Sequence, residues 1–201
     1  LKTDRFHTKL IKICKILMHD ASFFKKADED TNLWCCENGV FDLELGIFRD
    51  GRPEDCCTLS CGQNFQEYSE DDEEVLEFLE MYNKIFWGDS EVGFFLLMMI
   101  CMAASGMNIL KKFVCCTGET NGGKSIFFRL CELTFGEGKT GYCFKLPRER
   151  MIVGPTKSTS GPAPELARSK GKRICITQEI AKTEKVDIGF VKEMTGTDTF
   201  Y

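Results

Sequence analysis

Eight consecutive residues, Gly118 to Ser125, have the types and spacing of a phosphate-binding loop. They fit Gly-x-x-x-x-Gly-Lys-Ser, a pattern whose glycines let backbone N–H groups point at phosphate oxygens. The ammonium of Lys124 would neutralise the β- and γ-phosphates, and the Ser125 hydroxyl would bind Mg²⁺. The loop therefore predicts ATP and Mg²⁺ as ligands. The predicted nucleotide-binding residues are Gly118, Glu119, Thr120, Asn121, Gly122, Gly123, Lys124 and Ser125.

A phosphate loop also needs a carboxylate at the end of a neighbouring strand, because both the metal and the attacking water require one. The short β-prone run from Lys172 ends in Glu179, 55 residues after Lys124. Glu179 is therefore predicted to polarise water, to bind the metal, or both, with Lys124 as the second catalytic residue. An ordinary surface glutamate after a strand is the alternative.

The elements that would position these residues follow a strand, loop, helix order. Residues 113 to 116 read as a short buried strand, and apolar residues recur at helical spacing from Ile126 to Leu133. The fold class expected is α/β, a parallel-sheet P-loop core. Residues 106–201 would form this ATPase domain, and residues 1–105 a smaller α+β region.

The first 105 residues combine helices with a small antiparallel sheet. Asn38-Gly39 and Leu45-Gly46 are turn signals between short β-prone runs, which predicts a meander over residues 33–49. Helices are predicted over residues 6–18, about 70–86 and 90–104, where the apolar residues have helical spacing or follow capping residues.

Positive charge is concentrated in the second half of the chain. From Lys139 to Arg173, nine Lys or Arg stand against two Glu, although the whole chain carries −5. Such a section either faces a polyanion or is a solvated, loop-rich surface. The residues predicted to lie exposed on it are Lys145, Arg148, Arg150 and Lys157.

The twelve cysteines occur without a Cys-x-x-Cys spacing and without a secretion leader. They are read as buried thiols, with a zinc site as the alternative, so a reducing intracellular compartment is expected. The longest apolar run, from Val92 to Gly106, would span only about 22 Å as a helix, short of a membrane core of roughly 30 Å. No membrane contact is predicted.

An ordered set of short motifs surrounds the loop and carries a family resemblance. The chain resembles the poxvirus-type primase-helicases of large DNA viruses and their phage and plasmid relatives, which are superfamily three helicases. The motifs are Asn38-Gly39-Val40-x-Asp42, Gly46-x-x-Arg49, Arg52-Pro53-x-Asp55, the loop with Asn121, Pro164-x-Leu166-Ala167, Gly171-Lys172-Arg173, Glu179 and Lys192-x-x-Thr195-Gly196-x-Asp198.

The resemblance implies an ATP-driven, AAA+-type DNA helicase that assembles into a ring, expected to be a hexamer. Residues 1–105 would be its helicase-associated N-terminal region, and a primase domain could share the polypeptide. The segment from Lys192 to Asp198 leads, in that family, into a hairpin in the central channel. A DNA contact is predicted at Lys192 from this segment, and at Lys145, Arg148 and Arg150 from the basic section between the two ATPase motifs. If the protein is viral, the host cytoplasm or a viral replication site is the expected location.

Two further readings remain open. Another P-loop enzyme, such as a small-molecule kinase, would have the same loop. The other is a nucleotide-binding assembly module that does not hydrolyse ATP. The chain begins with Leu1, and it is expected to be an internal piece of a longer polypeptide and therefore a weak ATPase as a fragment.

Overall fold

The structure is a computed structural model that describes residues 2–154, 166 and 168–196. Lys157, Pro164, Ala167 and Asp198, which belong to predicted surfaces or motifs, lie outside these residues. Helices α1 (Lys2–Leu17) and α2 (Phe23–Lys26) begin the described chain. The predicted first helix is therefore confirmed, although it starts earlier than residue 6.

Three short strands form the predicted meander. They are β1 (Leu33–Cys36), β2 (Gly39–Asp42) and β3 (Ile47–Arg49), paired antiparallel in the order β1-β2-β3. Leu33 and Val40 are buried, since alternate residues of a strand face the core.

The two predicted helices that follow are confirmed as α3 (Glu73–Ile85) and α4 (Ser90–Ala104). Helix α3 starts three residues later than expected because Asp72 closes a turn, its carboxylate accepting from the Ser69 N–H at 2.7 Å. The Asp89 carboxylate caps α4 by accepting from the Val92 N–H at 3.2 Å.

The second half contains α5 (Lys124–Phe135), β4 (Cys143–Leu146), α6 (Arg148–Met151), β5 (Ile174–Thr177) and α7 (Ile188–Thr195). Strands β4 and β5 pair in parallel, with Cys143 opposite Ile174 and Leu146 opposite Thr177. A mixed α/β fold with a small parallel sheet is confirmed. The predicted strand at Ile174–Thr177 and the helix after the loop both form.

The predicted buried strand at residues 113–116 was wrong. This segment has no strand hydrogen bonding in the structure, and Phe113 is 47% exposed. Phe113, Val114 and Cys116 line a cavity of about 470 Å³, together with Ile176 of β5. Four apolar residues favour burial but do not decide whether their backbone pairs, because pairing depends on how closely a distant strand approaches.

One hydrophobic core joins the two halves of the sequence. Its buried residues include Leu33 of β1, Leu59, Phe135 of α5 and Tyr142. The Tyr142 hydroxyl accepts from the Cys35 N–H at 3.0 Å and donates to the Leu59 carbonyl at 3.3 Å. The regions before and after residue 105 therefore share buried side chains.

Among the described residues, no helix by itself has both the length and the apolar character of a membrane span. Helices α3 and α4 meet such a test only when taken together, by length and composition, and they are bent by 117° relative to each other.

Candidate nucleotide-binding site

The glycine-rich loop ends where helix α5 begins. Gly123 precedes Lys124, the first residue of α5, and adopts φ +78°, while Asn121 adopts φ +65°. Left-handed residues next to a helix start turn successive N–H groups towards a common concavity, the geometry that binds anions. The Gly122 N–H donates to the Glu119 carbonyl at 3.2 Å, which closes the turn.

Lys124 bonds to its own loop. Its Nζ donates to the Gly118 carbonyl at 2.8 Å and to the Glu119 carbonyl at 2.7 Å. An ammonium has three donors and no acceptor, so these contacts hold its charge at the loop rather than in open solvent. A direct hydrogen bond thus joins the predicted phosphate-binding residue, Lys124, to Gly118, the first glycine of the motif.

Gly123 also contacts a distant helix. A Cβ built on it would lie 2.6 Å from Cγ1 of Ile85, at the end of α3. Real side chains do not approach so closely, so this position requires glycine for its φ and for the space. The loop is therefore positioned partly by the N-terminal half of the chain.

Solvent reaches much of the loop. The exposed members of the predicted set are Gly118, Glu119, Thr120, Asn121 and Ser125. Gly122, Gly123 and Lys124 are half-buried. A polar ligand could therefore meet the loop and the Ser125 hydroxyl from outside without displacing the core.

Glu179 lies exposed two residues beyond the end of β5. Helix α5 ends beside the start of β4, since the Tyr142 N–H donates to the Phe135 carbonyl at 2.7 Å. Phe127, in the first turn of α5, packs in a cluster with Ile176 of β5. Helix α5 thus runs back over the sheet, and we infer that its first residue, Lys124, and Glu179 lie towards the same edge. No hydrogen bond or ion pair joins those two side chains in the described part of the chain.

One buried polar atom lies at this end of β5. Thr177 Oγ1 has no hydrogen-bond partner among the described residues, and Thr177 lines the cavity beside the 113–116 segment. Sequence reasoning missed this residue, because a threonine inside a β-prone run is typical of a strand and carries no separate signal.

The predicted basic surface is largely paired within the chain. Lys145 Nζ lies 3.0 Å from Glu132 and 2.6 Å from Glu137, and Arg129 pairs with the same two carboxylates. Hydrogen bonds from Lys145 and Arg129 lower the pKa of Glu137 to about 2. The charge of Lys145 is thus balanced where it stands.

The other predicted DNA-contact residues differ in their surroundings. Arg148 and Arg150 of α6 were predicted to lie exposed, but both are half-buried, and Arg148 lies 3.6 Å from Glu184. Lys192 is exposed in the last turn of α7. Of the four side chains, that of Lys192 is the most accessible to a phosphate of a DNA backbone.

Lys172 and Arg173 have a structural role that the sequence did not reveal. Lys172 Nζ donates to the carbonyls of Gly138 and Lys139 at 3.0 and 2.9 Å. Arg173 donates to the Leu33 carbonyl at 2.6 Å and to the Ala104 carbonyl. Burial lowers the pKa of both groups. In the sequence, two adjacent basic residues in a basic stretch indicate an exposed surface. Only the tertiary structure shows that these two side chains point inward.

The Arg173 guanidinium also lies against two aromatic rings. Its Cζ is 4.7 Å from the ring centroid of Tyr142 and 5.5 Å from that of Trp34. Such cation–π contacts gain strength where water is excluded. Arg173 therefore joins β1, the end of α4 and the residue before β4.

The cysteines divide between core and surface. Cys35, Cys61, Cys131 and Cys143 are buried, whereas Cys14, Cys101, Cys115 and Cys175 are exposed. In the part of the chain that the structure describes, no three Cys, His, Asp or Glu side chains are placed to hold a metal ion.

Comparison with known proteins relates the chain to viral proteins. Residues 3–87 match the family described as D5 N terminal like. A protein of Acanthamoeba polyphaga mimivirus is 35% identical over 199 residues, which is 99% of this chain and 20% of that protein. Proteins of invertebrate iridescent viruses 3 and 6 are 29% and 30% identical, over 98% and 93% of this chain and 21% and 19% of their own lengths. Each of the three is named "Putative helicase".

The chain thus spans about a fifth of the length of these curated relatives. The similarity extends over nearly all of its residues, including the phosphate loop and the strand before Glu179. Residues 3–87 match the D5 N terminal like family, and nearly the whole chain is similar to the helicase-named proteins of these large DNA viruses.

Proposed function

We propose that this chain is part of an ATP-driven DNA helicase of superfamily three, a replication protein that hydrolyses ATP to move along and unwind DNA. The observation that carries the proposal is the arrangement at Lys124. This residue opens a 12-residue helix directly after a glycine loop and holds its ammonium on the carbonyls of Gly118 and Glu119. The relationship to the helicase-named viral proteins supports the same assignment.

The residues of the loop fit a triphosphate. A Cβ at Gly122 would lie 3.1 Å from the Glu119 carbonyl oxygen, and one at Gly118 would lie 3.7 Å from Lys124 Nζ. A side chain at Gly122 would therefore crowd the turn, whereas one at Gly118 would make an ordinary contact with Lys124. The N–H groups of the loop and Lys124 would hold the phosphates, and Ser125 and Glu179 would hold Mg²⁺, which supplies charge neutralisation on the phosphate oxygens.

Glu179 has the second role in the proposed reaction. An exposed carboxylate just beyond a strand can accept a proton from water and orient it towards the terminal phosphate. Gln178 precedes it, so one carboxylate serves where a pair of adjacent acids would divide metal binding from water activation. We assign both tasks to Glu179.

Assembly would complete the site. Ring ATPases commonly use an arginine from an adjacent subunit to stabilise the charge that develops on the γ-phosphate, which adds about 10³ to 10⁵ in rate. We propose a homo-oligomer, with a hexamer as the expected ring, in which each nucleotide lies at a subunit interface. A chain fragment that does not assemble would then hydrolyse ATP slowly.

DNA is the proposed partner of the ring. Tracking along a phosphate backbone needs exposed Lys or Arg side chains and little base recognition. Lys192, in the last turn of α7, is exposed and is the leading candidate for this contact. Lys145, Arg148 and Arg150 are secondary candidates, because Lys145 and Arg148 have carboxylate partners and Arg150 is half-buried.

The rest of the polypeptide leaves room for other activities. The viral relatives are about five times as long as this chain, so a primase domain in the same polypeptide is part of the proposal. A reducing intracellular site, the host cytoplasm or a viral replication site, is the proposed location, since it would keep the twelve thiols reduced.

The test is ATP turnover by the full-length protein with and without single-stranded DNA. We expect DNA to raise turnover and Lys124→Ala to abolish it while circular dichroism stays unchanged. Lys139→Ala, which removes an exposed lysine outside the loop, is the matched control. Retained turnover in Lys124→Ala would remove the loop assignment. Turnover that DNA does not change would favour a small-molecule kinase.

A further inference from the structure

Helix α1 is exposed from residue 5 to its end at residue 17. Every side chain from Arg5 to Leu17 is exposed. A single 16-residue helix in water is only marginally stable from its own hydrogen bonds. Stable formation of α1 therefore calls for another surface to cover it.

The apolar residues of α1 form a continuous stripe. Phe6, Leu10, Ile13 and Leu17 follow one another at intervals of four, three and four residues, the spacing of a helix seam that packs against a second helix. They are 64%, 47%, 53% and 79% exposed. At 100° per residue, Arg5, Lys9 and Lys12 fall along one side of the stripe. Between Arg5 and Lys15 there are four basic residues and no acidic one. We name this surface the basic stripe.

Helix α3 carries the complementary surface. Tyr82 faces the core, whereas Leu76 and Leu79 are 53% and 43% exposed on another face. Glu73, Glu77 and Glu80 fall along one side of these leucines by the same helical rotation, and Glu80 is paired with Lys84 Nζ at 2.6 Å. From Glu70 to Glu80 the chain has seven acidic residues and no basic one. We name this surface the acidic stripe.

We propose that the basic stripe of one copy of this chain docks on the acidic stripe of a second copy. Both stripes combine exposed apolar residues with a border of charge, and the two charges are opposite. Both leave their leucines exposed in the same folded chain, so they do not cover each other within one copy. Complementary charge fixes the register and speeds encounter, and apolar burial supplies the attraction.

A basic amphipathic helix can also lie on an anionic membrane. The second copy is favoured because the matching surface is present on the chain itself, in residues that lie within the same match to the D5 N terminal like family. The proposal rests on the homo-oligomer proposed above and names one of its contacts, but its test needs neither nucleotide nor DNA, so it can fail while the nucleotide site stands.

The first experiment identifies the contact in the full-length protein without nucleotide. Unlabelled and ¹⁵N-labelled protein are mixed and treated with a carbodiimide, which joins lysine to carboxylate without a spacer. We expect cross-links between Lys9 or Lys12 of one isotope and Glu73 or Glu77 of the other. Links within one isotope only would place α1 on its own α3 and would overturn the proposal. Absence of any link between the two helices would do the same.

The second experiment exchanges the charges. Lys9→Glu with Lys12→Glu, and separately Glu73→Lys with Glu77→Lys, should each lower the association constant about tenfold or more in sedimentation, because like charges then face each other. An equal mixture of the two variants should recover association. Lys182→Glu with Lys185→Glu changes the net charge as much as the first variant at exposed positions outside α1 and should have no effect.

A mixture that does not recover would sink the proposal even if each variant dissociates. Vesicles containing phosphatidylserine give the other decisive readout. If the α1 variant loses binding to these vesicles and association is unchanged, α1 is a membrane contact and the second copy is excluded as its partner.

Discussion

Lys124 Nζ lies 2.8 Å from the carbonyl oxygen of Gly118, six residues earlier in the chain. This bond fixes the first residue of helix α5 to the first residue of the loop that precedes it. The loop is therefore shaped by the same side chain that is proposed to meet the phosphates.

Glu179→Gln should separate binding from hydrolysis. Because an amide cannot accept a proton from water, we expect ATP affinity to stay within about threefold while turnover falls by about 10² to 10⁴. Equilibrium binding and single-turnover hydrolysis by the full-length protein measure the two effects. Glu149→Gln, which changes an exposed carboxylate after β4, should leave both unchanged. Normal hydrolysis in Glu179→Gln would mean that the catalytic carboxylate lies elsewhere.

Gly123→Ala should disturb the contact between the loop and helix α3. Gly123 and Gly138 both have positive φ, at +78° and +81°, so alanine costs each about 1 to 2 kcal/mol in backbone strain. Only at Gly123 does the new Cβ meet Ile85, at 2.6 Å. Urea unfolding should therefore show a larger loss for Gly123→Ala than for Gly138→Ala. Gly123→Ala should also lower nucleotide affinity, because the new Cβ displaces the loop, and adding Ile85→Ala should restore part of that affinity. Equal losses of stability for Gly123→Ala and Gly138→Ala would refute the contact.

Arg173→Ala should destabilise the fold. It removes donors from the carbonyls of Leu33 and Ala104 and a cation from the rings of Tyr142 and Trp34. We expect a loss of about 3 kcal/mol in the free energy of unfolding.

Lys139→Ala, at an exposed position, is the control for that measurement and should change the free energy of unfolding by about 0.5 kcal/mol or less. Arg173→Lys should recover only part of the loss, because an ammonium cannot reproduce the planar guanidinium contacts. A loss below about 1 kcal/mol for Arg173→Ala would show that the contacts of Arg173 contribute little to stability.

Cys35 should titrate well below Cys131. A hydrogen bond with the Cys57 thiol, the Tyr142 hydroxyl and the charge of Arg173 lower the pKa of Cys35 to about 7, whereas burial raises the pKa of Cys131 to about 11. Thiolate absorbance at 240 nm should therefore show one step near pH 7 in the folded protein. Cys35→Ser should remove it, and Cys14→Ser, at an exposed position, should not.

The same shift has a consequence for stability. The pKa of Cys35 is lower in the folded state than the usual thiol value of 9.0, so the unfolded chain binds more protons between about pH 7 and 9. The contribution of Cys35 to stability is then complete above about pH 9 and is lost as the pH falls through 7. The free energy of unfolding measured in urea should therefore rise from pH 7 to 9, and Cys35→Ser should make this rise smaller. An unchanged dependence on pH in Cys35→Ser would contradict the lowered pKa.

Lys192 and Lys145 should differ in DNA binding. A lysine that contacts a phosphate of single-stranded DNA contributes about 0.7 to the slope of log affinity against log salt. Lys192→Ala should lower the slope by about this amount, while Lys145→Ala should leave it unchanged, because Glu132 and Glu137 already balance that charge. Fluorescence anisotropy at several salt concentrations measures both slopes. The reverse ranking would move the DNA contact to β4.

The amino-acid sequence by itself determined the local elements. The Asn38-Gly39 turn specified the meander, the loop ending in Lys124 specified a helix start, and the run before Glu179 specified a strand, because turn chemistry and side-chain periodicity act over a few residues.

Only the tertiary structure decided which distant groups meet. It turned Arg173 inward onto Leu33 and Tyr142, brought Ile85 against Gly123, balanced Lys145 with Glu132, and left residues 113–116 without strand pairing. A charged residue or an apolar run shows in the sequence that it needs a partner. That partner lies many residues away along the chain, and its position depends on the packing of the whole chain.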